Sequence, residues 1–267
     1  MVVVLSAVAA QGPTQFHPGF NLFSKAQDVQ LGQEAAAQVR KQMTVINDPT
    51  LTAYVNKIGK RLANSREAQE SGFPFSFQVV ADPSINAFAL PGGPMFINTG
   101  LLKAVDNEAQ LAGVMGHEMS HVIMRHGTNQ ASKAQLIQLP AVLGSAVAGS
   151  SMIGQLAQIG IGIGANGVLL KFSRSAETQA DLLGSHLMAE SGYDPIQMAK
   201  FFEKLNTGQQ ALQFMSDHPN PGNREKAIRE ESEKLPYQTY GYQTGDFQKM
   251  KKVVATIKEP KPKPAPE

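Results

Sequence analysis

The chain has no cysteine. Disulfides and thiolate metal ligands are therefore excluded, and any bound metal has to be held by histidine, aspartate or glutamate. Absence of cysteine fits any compartment. Excess charge of one sign is also missing: 24 Lys and Arg stand against 22 Asp and Glu, a formal net charge of +2. That balance argues for neither nucleic acid nor an acidic partner. Much of the small basic excess sits in the last twenty residues. No Lys or Arg occurs before Lys25. Residues 1–10 (MVVVLSAVAA) thus lack the basic flank of a secretory signal, although their apolar run and Ala7-Val8-Ala9 suit its hydrophobic part and cleavage site. They are too few to span a bilayer. The expectation is export, to the periplasm, with a frayed terminus as the bland alternative. No internal repeat is present.

Charge vanishes altogether from residues 135–170. A run of that length would suggest a membrane span, yet it contains seven glycines, Pro140, four glutamines, three serines and Asn166. No twenty-residue window of it is purely apolar. An uncharged helical hairpin packed on or over a cleft is expected, with peripheral membrane contact as the alternative.

What is present suits an ordinary globular chain. The sequence has 267 residues, 42% apolar and 17% charged, enough for a sizeable core. Residues 1–23, with Pro18 and Gly19, read as a signal-like and irregular arm. Ser24 caps an expected helix running to Met43 with apolar positions at helical spacing. Asn47-Asp48-Pro49 punctuates, and Leu51, Tyr54, Val55, Ile58 and Leu62 mark a second helix ended by Gly72-Phe73-Pro74. Strands are expected over residues 75–80, 85–90 and 95–98, with Pro91-Gly92-Gly93-Pro94 as a tight reversal. Helical sequence then continues from Thr99-Gly100 without a break. Amphipathic helices follow over 175–190, 195–205 and 223–234. Residues 24–258 read as one domain, and the Pro-Lys tail, 259–267, cannot build a core.

Within this frame stands Gly116-His117-Glu118-Met119-Ser120-His121. Histidines four apart on a helix lie about 40° apart around its axis, so both imidazoles can grip one metal ion. Glu118 is placed to take a proton from metal-bound water, the H-E-x-x-H arrangement of zinc hydrolases. Residues 107–115 supply the helix, with an acidic first turn. A catalytic zinc needs a third protein ligand. His126, nine residues beyond His117, falls about 180° around that helix and reads as structural. Glu177 is the better candidate, since Glu177 and Asp181 share one helix face, so one can bind metal while the other orients a ligand imidazole. A solvated acidic face is the bland alternative. His186, nine beyond Glu177, points the other way.

Five stretches together resemble the metallopeptidases that include the CAAX prenyl endopeptidase, HtpX, and the Oma and BepA proteases. They are Asp48-Pro49-x-Leu51-x-x-Tyr54-Val55 with Gly59-x-x-Leu62; Asn86-Ala87-Phe88-Ala89-Leu90-Pro91-Gly92-Gly93 with Gly100-Leu101-Leu102; His117-Glu118-x-x-His121 with Arg125-His126-Gly127; Glu177-x-x-Ala180-Asp181-x-x-Gly184; and His218-Pro219-x-x-x-x-Arg224. The resemblance spans about Leu31 to Arg229 and is nearest the soluble, exported branch. It implies an α+β fold, mainly helical, a thermolysin-like minimal zincin with a small mixed sheet beside the zinc helix. It further implies one Zn(2+) per chain on His117, His121 and Glu177, with Glu118 as general base. Asp181 would hydrogen-bond a ligand histidine, and Arg224 would support the loop of His218. His218 would steady the oxyanion or occlude the site at rest. Nothing after Arg229 resembles the helical-repeat partner domain of longer members.

The expected activity is hydrolysis of peptide bonds in unfolded or misassembled protein segments. The substrate would lie as an added strand along Asn86, Ala87, Phe88 and Ala89, since an exposed edge offers backbone donors and acceptors. An ordinary hairpin strand is the bland reading of that stretch. Two other classes stay open: a latent or non-proteolytic peptide-binding, chaperone-like protein with its zinc site occluded, and a zinc hydrolase acting on other bonds.

Overall fold

The computed structural model describes residues 12–142, 163–164, 167–168, 172–206, 214, 216, 218–220 and 222–260. Helix α1 (Lys25–Gln42) starts at Ser24 with a reciprocal capping box to Gln27. Helix α2 (Pro49–Ala63) starts at Asp48, whose carboxylate accepts from the amides of Thr50 and Leu51, with proline at its first position. The second helix does not run on to Gly72. It stops at Ala63, Ser65 opens a short helix α3 (Arg66–Ser71), and Gly72 closes that one in the left-handed conformation.

The sheet has four strands: β1 (Val45–Ile46), β2 (Ser76–Val80), β3 (Ala87–Ala89) and β4 (Pro94–Asn98). Their order is β1-β2-β4-β3, with β2 parallel to β4 and the other pairs antiparallel. Strand β1 was not foreseen, because two residues are too few to show a period. The strand expected over 85–90 is shorter than its apolar run and occupies the edge beside β4. Helix α4 (Thr99–Ala104) then forms, but the chain turns out at Val105 before α5 (Glu108–Ile123), capped by Asn107. The helix expected to run unbroken is thus two, since Asn107 competes for the amide of Gln110 and restarts the ladder.

Helix α5 is the axle of the fold. Its residues from Gln110 to Ile123 are all buried. One side meets β3, the other meets α7 (Arg174–Glu190) and α8 (Ile196–Asn206). Two glycines permit that proximity: a Cβ on Gly113 would lie 2.5 Å from Met198 Cβ, and one on Gly184 would lie 3.2 Å from the backbone N of His117. Helix α9 (Arg224–Ser232) packs on α7 and α8. The core joins Leu51, Tyr54 and Ile58 of α2 to Leu111, Met115 and Met119 of α5 and to Leu183, Met198 and Phe202.

Helix α6 (His126–Val142) follows α5. Residues 135–142 of the uncharged stretch belong to it, whereas Ile163–Gly164 (β5) and Gly167–Val168 (β6) pair as antiparallel strands where a helical hairpin was expected. Glycine and β-branched residues favour extended backbone over helix there. The remaining residues of that stretch lie outside the described ones. The N-terminal arm is irregular as expected but tied down: the Thr14 amide donates to Glu231, Asn21 to Thr128 and the Leu22 amide to Ser132. A helix α10 (Phe247–Thr256) was missed, although Phe247, Met250 and Val254 carry its period. Of the tail, Glu259 accepts from Thr99 and Lys103; residues 261–267, like 1–11, lie outside the described residues. No helix among the described residues is long and apolar enough to cross a membrane.

Candidate metal centre

Four buried side chains bring donor atoms to one point: His117 and His121 from α5, Glu177 from the first turn of α7, and His218 from the segment before α9. Those atoms all lie within 4.8 Å of one another. The Nε2 atoms of His117 and His121 are 3.1 Å apart. Glu177 Oε2 is 3.3 Å from His117 Nε2, and its Oε1 is 3.4 Å from His121 Nε2. Donors bound tetrahedrally at zinc distances stand about 3.3 Å apart, so this spacing fits one zinc ion. The donor chemistry fits as well, because two imidazoles and a carboxylate suit zinc without any thiolate.

Each imidazole is held with its Nε2 facing inward. His117 donates Nδ1–H to Asp181 Oδ1 at 3.0 Å. Asp181 is fixed in turn by Arg224, whose Nε donates to Oδ2 at 2.6 Å and Nη2 to Oδ1 at 3.0 Å. The guanidinium lies over the Phe202 ring, 4.1 Å from its centroid. For His121 the partner is His126, with Nδ1 atoms 2.9 Å apart. His126 Nε2 donates to Gln179 Oε1 at 3.1 Å, so the Nδ1 of a neutral His126 is an acceptor and His121 Nδ1–H is the donor. Burial keeps His126 neutral by lowering its pKa to about 4.

His126 does not lie half a turn round the same helix from His117, as its spacing suggests: α5 ends at Ile123, Arg125 takes a left-handed φ of 55°, and His126 opens α6 on a new axis. It is not a donor to the cluster, but it orients one. His186 is remote, bridging Glu67 (3.2 Å) and Glu231 (2.8 Å) on the outer side of α7.

Electrostatics follow from burial and pairing. Burial lowers the pKa of His117, but hydrogen bonds to Asp181 and Glu177 outweigh it and push the group up to about 9. Burial would raise Glu177; hydrogen bonds from His117, His121 and His218 hold it well below the carboxylate range. His121 is lowered by burial. Glu118 is raised by burial, against the opposing charges of His218 and His117. Its Oε2 accepts the Ala89 amide of β3 at 3.2 Å. Its Oε1 lies 3.2 Å from His218 Nε2, yet has no aligned hydrogen-bond partner among the described residues.

His218 Nδ1 is 3.2 Å from both His117 Nε2 and Glu177 Oε1, so it enters the donor set rather than standing beside it. Phe214 stacks on its ring at 4.8 Å, and Phe172 stacks on His121 at 4.0 Å. Neither phenylalanine was anticipated, since an isolated aromatic outside any periodic run carries no positional signal. The edge residues sit as follows. Asn86, Ala87 and Phe88 are buried, and the Ala89 amide hydrogen-bonds Glu118. Asn98 N–H donates to Asn86 O and Leu90 N–H to Pro94 O, so alternation turns the backbone of Ala87 and Ala89 away from β4.

Residues 49–232 match Peptidase family M48. Over 211 residues the chain is 35% identical to the beta-barrel assembly-enhancing protease of Escherichia coli, covering 75% of this chain and 43% of that protein. The protein of the same name from Yersinia pestis is 31% identical over 235 residues, 84% of this chain and 48% of that one. The mitochondrial metalloendopeptidase OMA1 of Schizosaccharomyces pombe is 31% identical over 235 residues, 85% of this chain and 66% of that protein. The chain spans less than half the length of the two bacterial relatives.

Proposed function

Because this chain belongs to Peptidase family M48, we propose that it is a zinc-dependent endopeptidase acting on unfolded or misassembled protein segments. The convergence of His117, His121 and Glu177 beside a buried Glu118 oxygen without an aligned hydrogen-bond partner among the described residues supports this reading above all. His117, His121 and Glu177 would hold the zinc, which when bound would supply a water of lowered pKa and polarise a carbonyl oxygen. Glu118, whose pKa is raised by burial, takes the water's proton and passes it to the leaving amine. Asp181 and His126 hold the two imidazoles in the right tautomer, and Arg224 neutralises Asp181 and Glu177. Substrate binds in extended form along β3 through the outward backbone of Ala87 and Ala89. The Ala89 amide then exchanges Glu118 for the peptide, which frees the carboxylate for its proton.

A second feature belongs to the same reading. A catalytic zinc keeps one position open, whereas a site with four protein ligands is closed. His218 Nδ1 stands in the donor set and Nε2 faces Glu118, which supports a resting, self-blocked state. On swinging out, His218 comes within reach of the oxyanion and can donate a hydrogen bond to it. The name beta-barrel assembly-enhancing protease belongs to the bacterial relatives; together with the apolar residues 1–10 it supports an exported, periplasmic setting for this chain too.

The test is zinc content and casein cleavage for wild type, Glu118→Gln and His218→Ala in parallel. One zinc per chain in all three is expected. Glu118→Gln should lose at least about a hundredfold in cleavage, and His218→Ala should cut faster than a blocked wild type. Retained cleavage in Glu118→Gln would remove Glu118 from the mechanism. Zinc with no cleavage in wild type or His218→Ala would favour a peptide-binding role instead.

A further inference from the structure

Four large apolar side chains stand exposed among the described residues, and three of them belong to one face: Phe20 at 58%, Leu22 at 48% and Leu136 at 47%. Single exposed leucines are ordinary on a folded protein, but a contiguous row is not. The N-terminal arm builds this row by lying along α6. Asn129 Nδ2 donates to the Phe20 carbonyl, Asn21 Nδ2 to Thr128 Oγ1 at 2.7 Å, and the Leu22 amide to Ser132 Oγ at 2.9 Å. Asn129, Ser132, Lys133 and Leu136 share one side of α6, so Phe20, Leu22 and Leu136 follow one another over about 10 Å.

Polarity along the arm is reversed for a segment that meets water. Its polar side chain, Asn21, is half-buried against α6, where Oδ1 also accepts from Ser132 Oγ at 3.2 Å. The apolar side chains on either side of it, Phe20 and Leu22, stand outward. The hydrogen bonds to α6 fix this orientation, and turning the apolar side chains inward would break them. Charge is equally one-sided. Neither residues 12–24 of the arm nor α6 contains Asp or Glu. Lys133 is exposed on α6 with no ion pair among the described residues. Along the sequence no carboxylate falls between Glu118 and Glu177, whereas Arg125, Lys133, Lys171 and Arg174 do.

We propose that this face docks on an anionic lipid surface, with Phe20, Leu22 and Leu136 entering the boundary between headgroups and acyl chains and Lys133 lying among the phosphates. An apolar row fringed by a basic side chain and free of carboxylates suits a protein that lies on a membrane without spanning it. A protein partner would leave the absence of carboxylates unexplained, since protein surfaces mix both signs. The face is joined to the metal centre by short contacts. The Phe23 carbonyl accepts from Arg125, and the next residue, His126, backs His121. Docking therefore holds the zinc helix close to the lipid. The inference stands apart from the endopeptidase reading, which needs no membrane.

The experiment is co-sedimentation of the full chain with vesicles of phosphatidylglycerol and phosphatidylcholine in equal parts, and of phosphatidylcholine alone, at low and at physiological salt. Wild type should partition onto the mixed vesicles better than onto the neutral ones, and less well as salt rises. Phe20→Ser combined with Leu22→Ser should lower partition at least about tenfold, and Lys133→Ala about fivefold. Tyr237→Ser removes the exposed apolar side chain outside the row and should leave partition unchanged. All these positions are exposed, and casein cleavage in solution should be the same for every variant, which separates lost docking from lost folding. No partition of wild type onto the mixed vesicles overturns the proposal. An equal loss in Tyr237→Ser overturns it as well, by marking non-specific adsorption. Self-association that the Phe20 and Leu22 changes abolish, without vesicle binding, also overturns it and makes the face a contact between copies. Each of these outcomes leaves the endopeptidase standing. Docking without casein cleavage by wild type or His218→Ala overturns the endopeptidase alone.

Discussion

At the scale of single residues, the centre depends on which nitrogen of each histidine carries the proton. Asp181 settles this for His117, and His126 settles it for His121, in both cases at Nδ1. His126→Phe keeps the volume but removes the acceptor, so the His121 ring is free to turn or change tautomer. Zinc affinity, measured by competition with a chromophoric chelator, should fall about 10- to 100-fold. Unchanged affinity would mean that Phe172 stacking alone holds His121. This role was hidden in the sequence because a nine-residue spacing was read along one helix. The left-handed Arg125 that breaks the helix is not a residue type that announces a positive φ.

At the scale of elements, the site is made by the approach of α5 to its neighbours. A glycine in a helix interior ordinarily costs about 1 kcal/mol against alanine. At Gly113 the balance reverses, because the added methyl would sit 2.5 Å from Met198 Cβ and α8 would have to move. Gly113→Ala should therefore destabilise by about 1–3 kcal/mol despite its better helix propensity, seen as a lower midpoint in urea unfolding. A midpoint at or above wild type would show that α8 shifts without loss. The helix caps and the acidic pair on α7 were legible, being local. The strand β1 was not, since its two residues pair with Val79 and Val80, far along the chain, and the break between α4 and α5 is marked only by the single cap residue Asn107 inside otherwise helical sequence.

At the scale of the whole molecule, the N-terminal arm, α3, α7 and α9 are held together on the face away from zinc by Glu67, His186 and Glu231. Burial raises the pKa of Glu67, but hydrogen bonds from His186 and Arg66 outweigh it and leave the group at about 2. Glu231 likewise ends at about 2, with Thr14, His186 and Lys234 outweighing burial. Both values are depressed from 4.5. A depressed carboxylate contributes stability that is present above its unfolded pKa and disappears as pH falls through the folded one. Stability should thus drop between about pH 4.5 and pH 2, by order 1 kcal/mol for each group after solvent screening. Glu231→Gln should flatten that acid limb in a series of urea midpoints. A limb as steep as wild type would place the acid sensitivity elsewhere.

Periodicity and capping by themselves determined what depends on neighbours a few residues apart. His117, Glu118 and His121 lie on one helix, Glu177 and Asp181 share one face, and Ser24 and Asp48 start their helices, because helical geometry is the same wherever it forms. Tertiary structure alone decided what depends on which buried faces meet. It brought Glu177 and His218 to the two histidines, set His126 behind His121 and laid Phe172 over the His121 ring. Apart from His126 and His121, five residues apart across the break between α5 and α6, those contacts join residues 41 to 101 apart in the chain, and no local pattern encodes which distant surface a helix will cover.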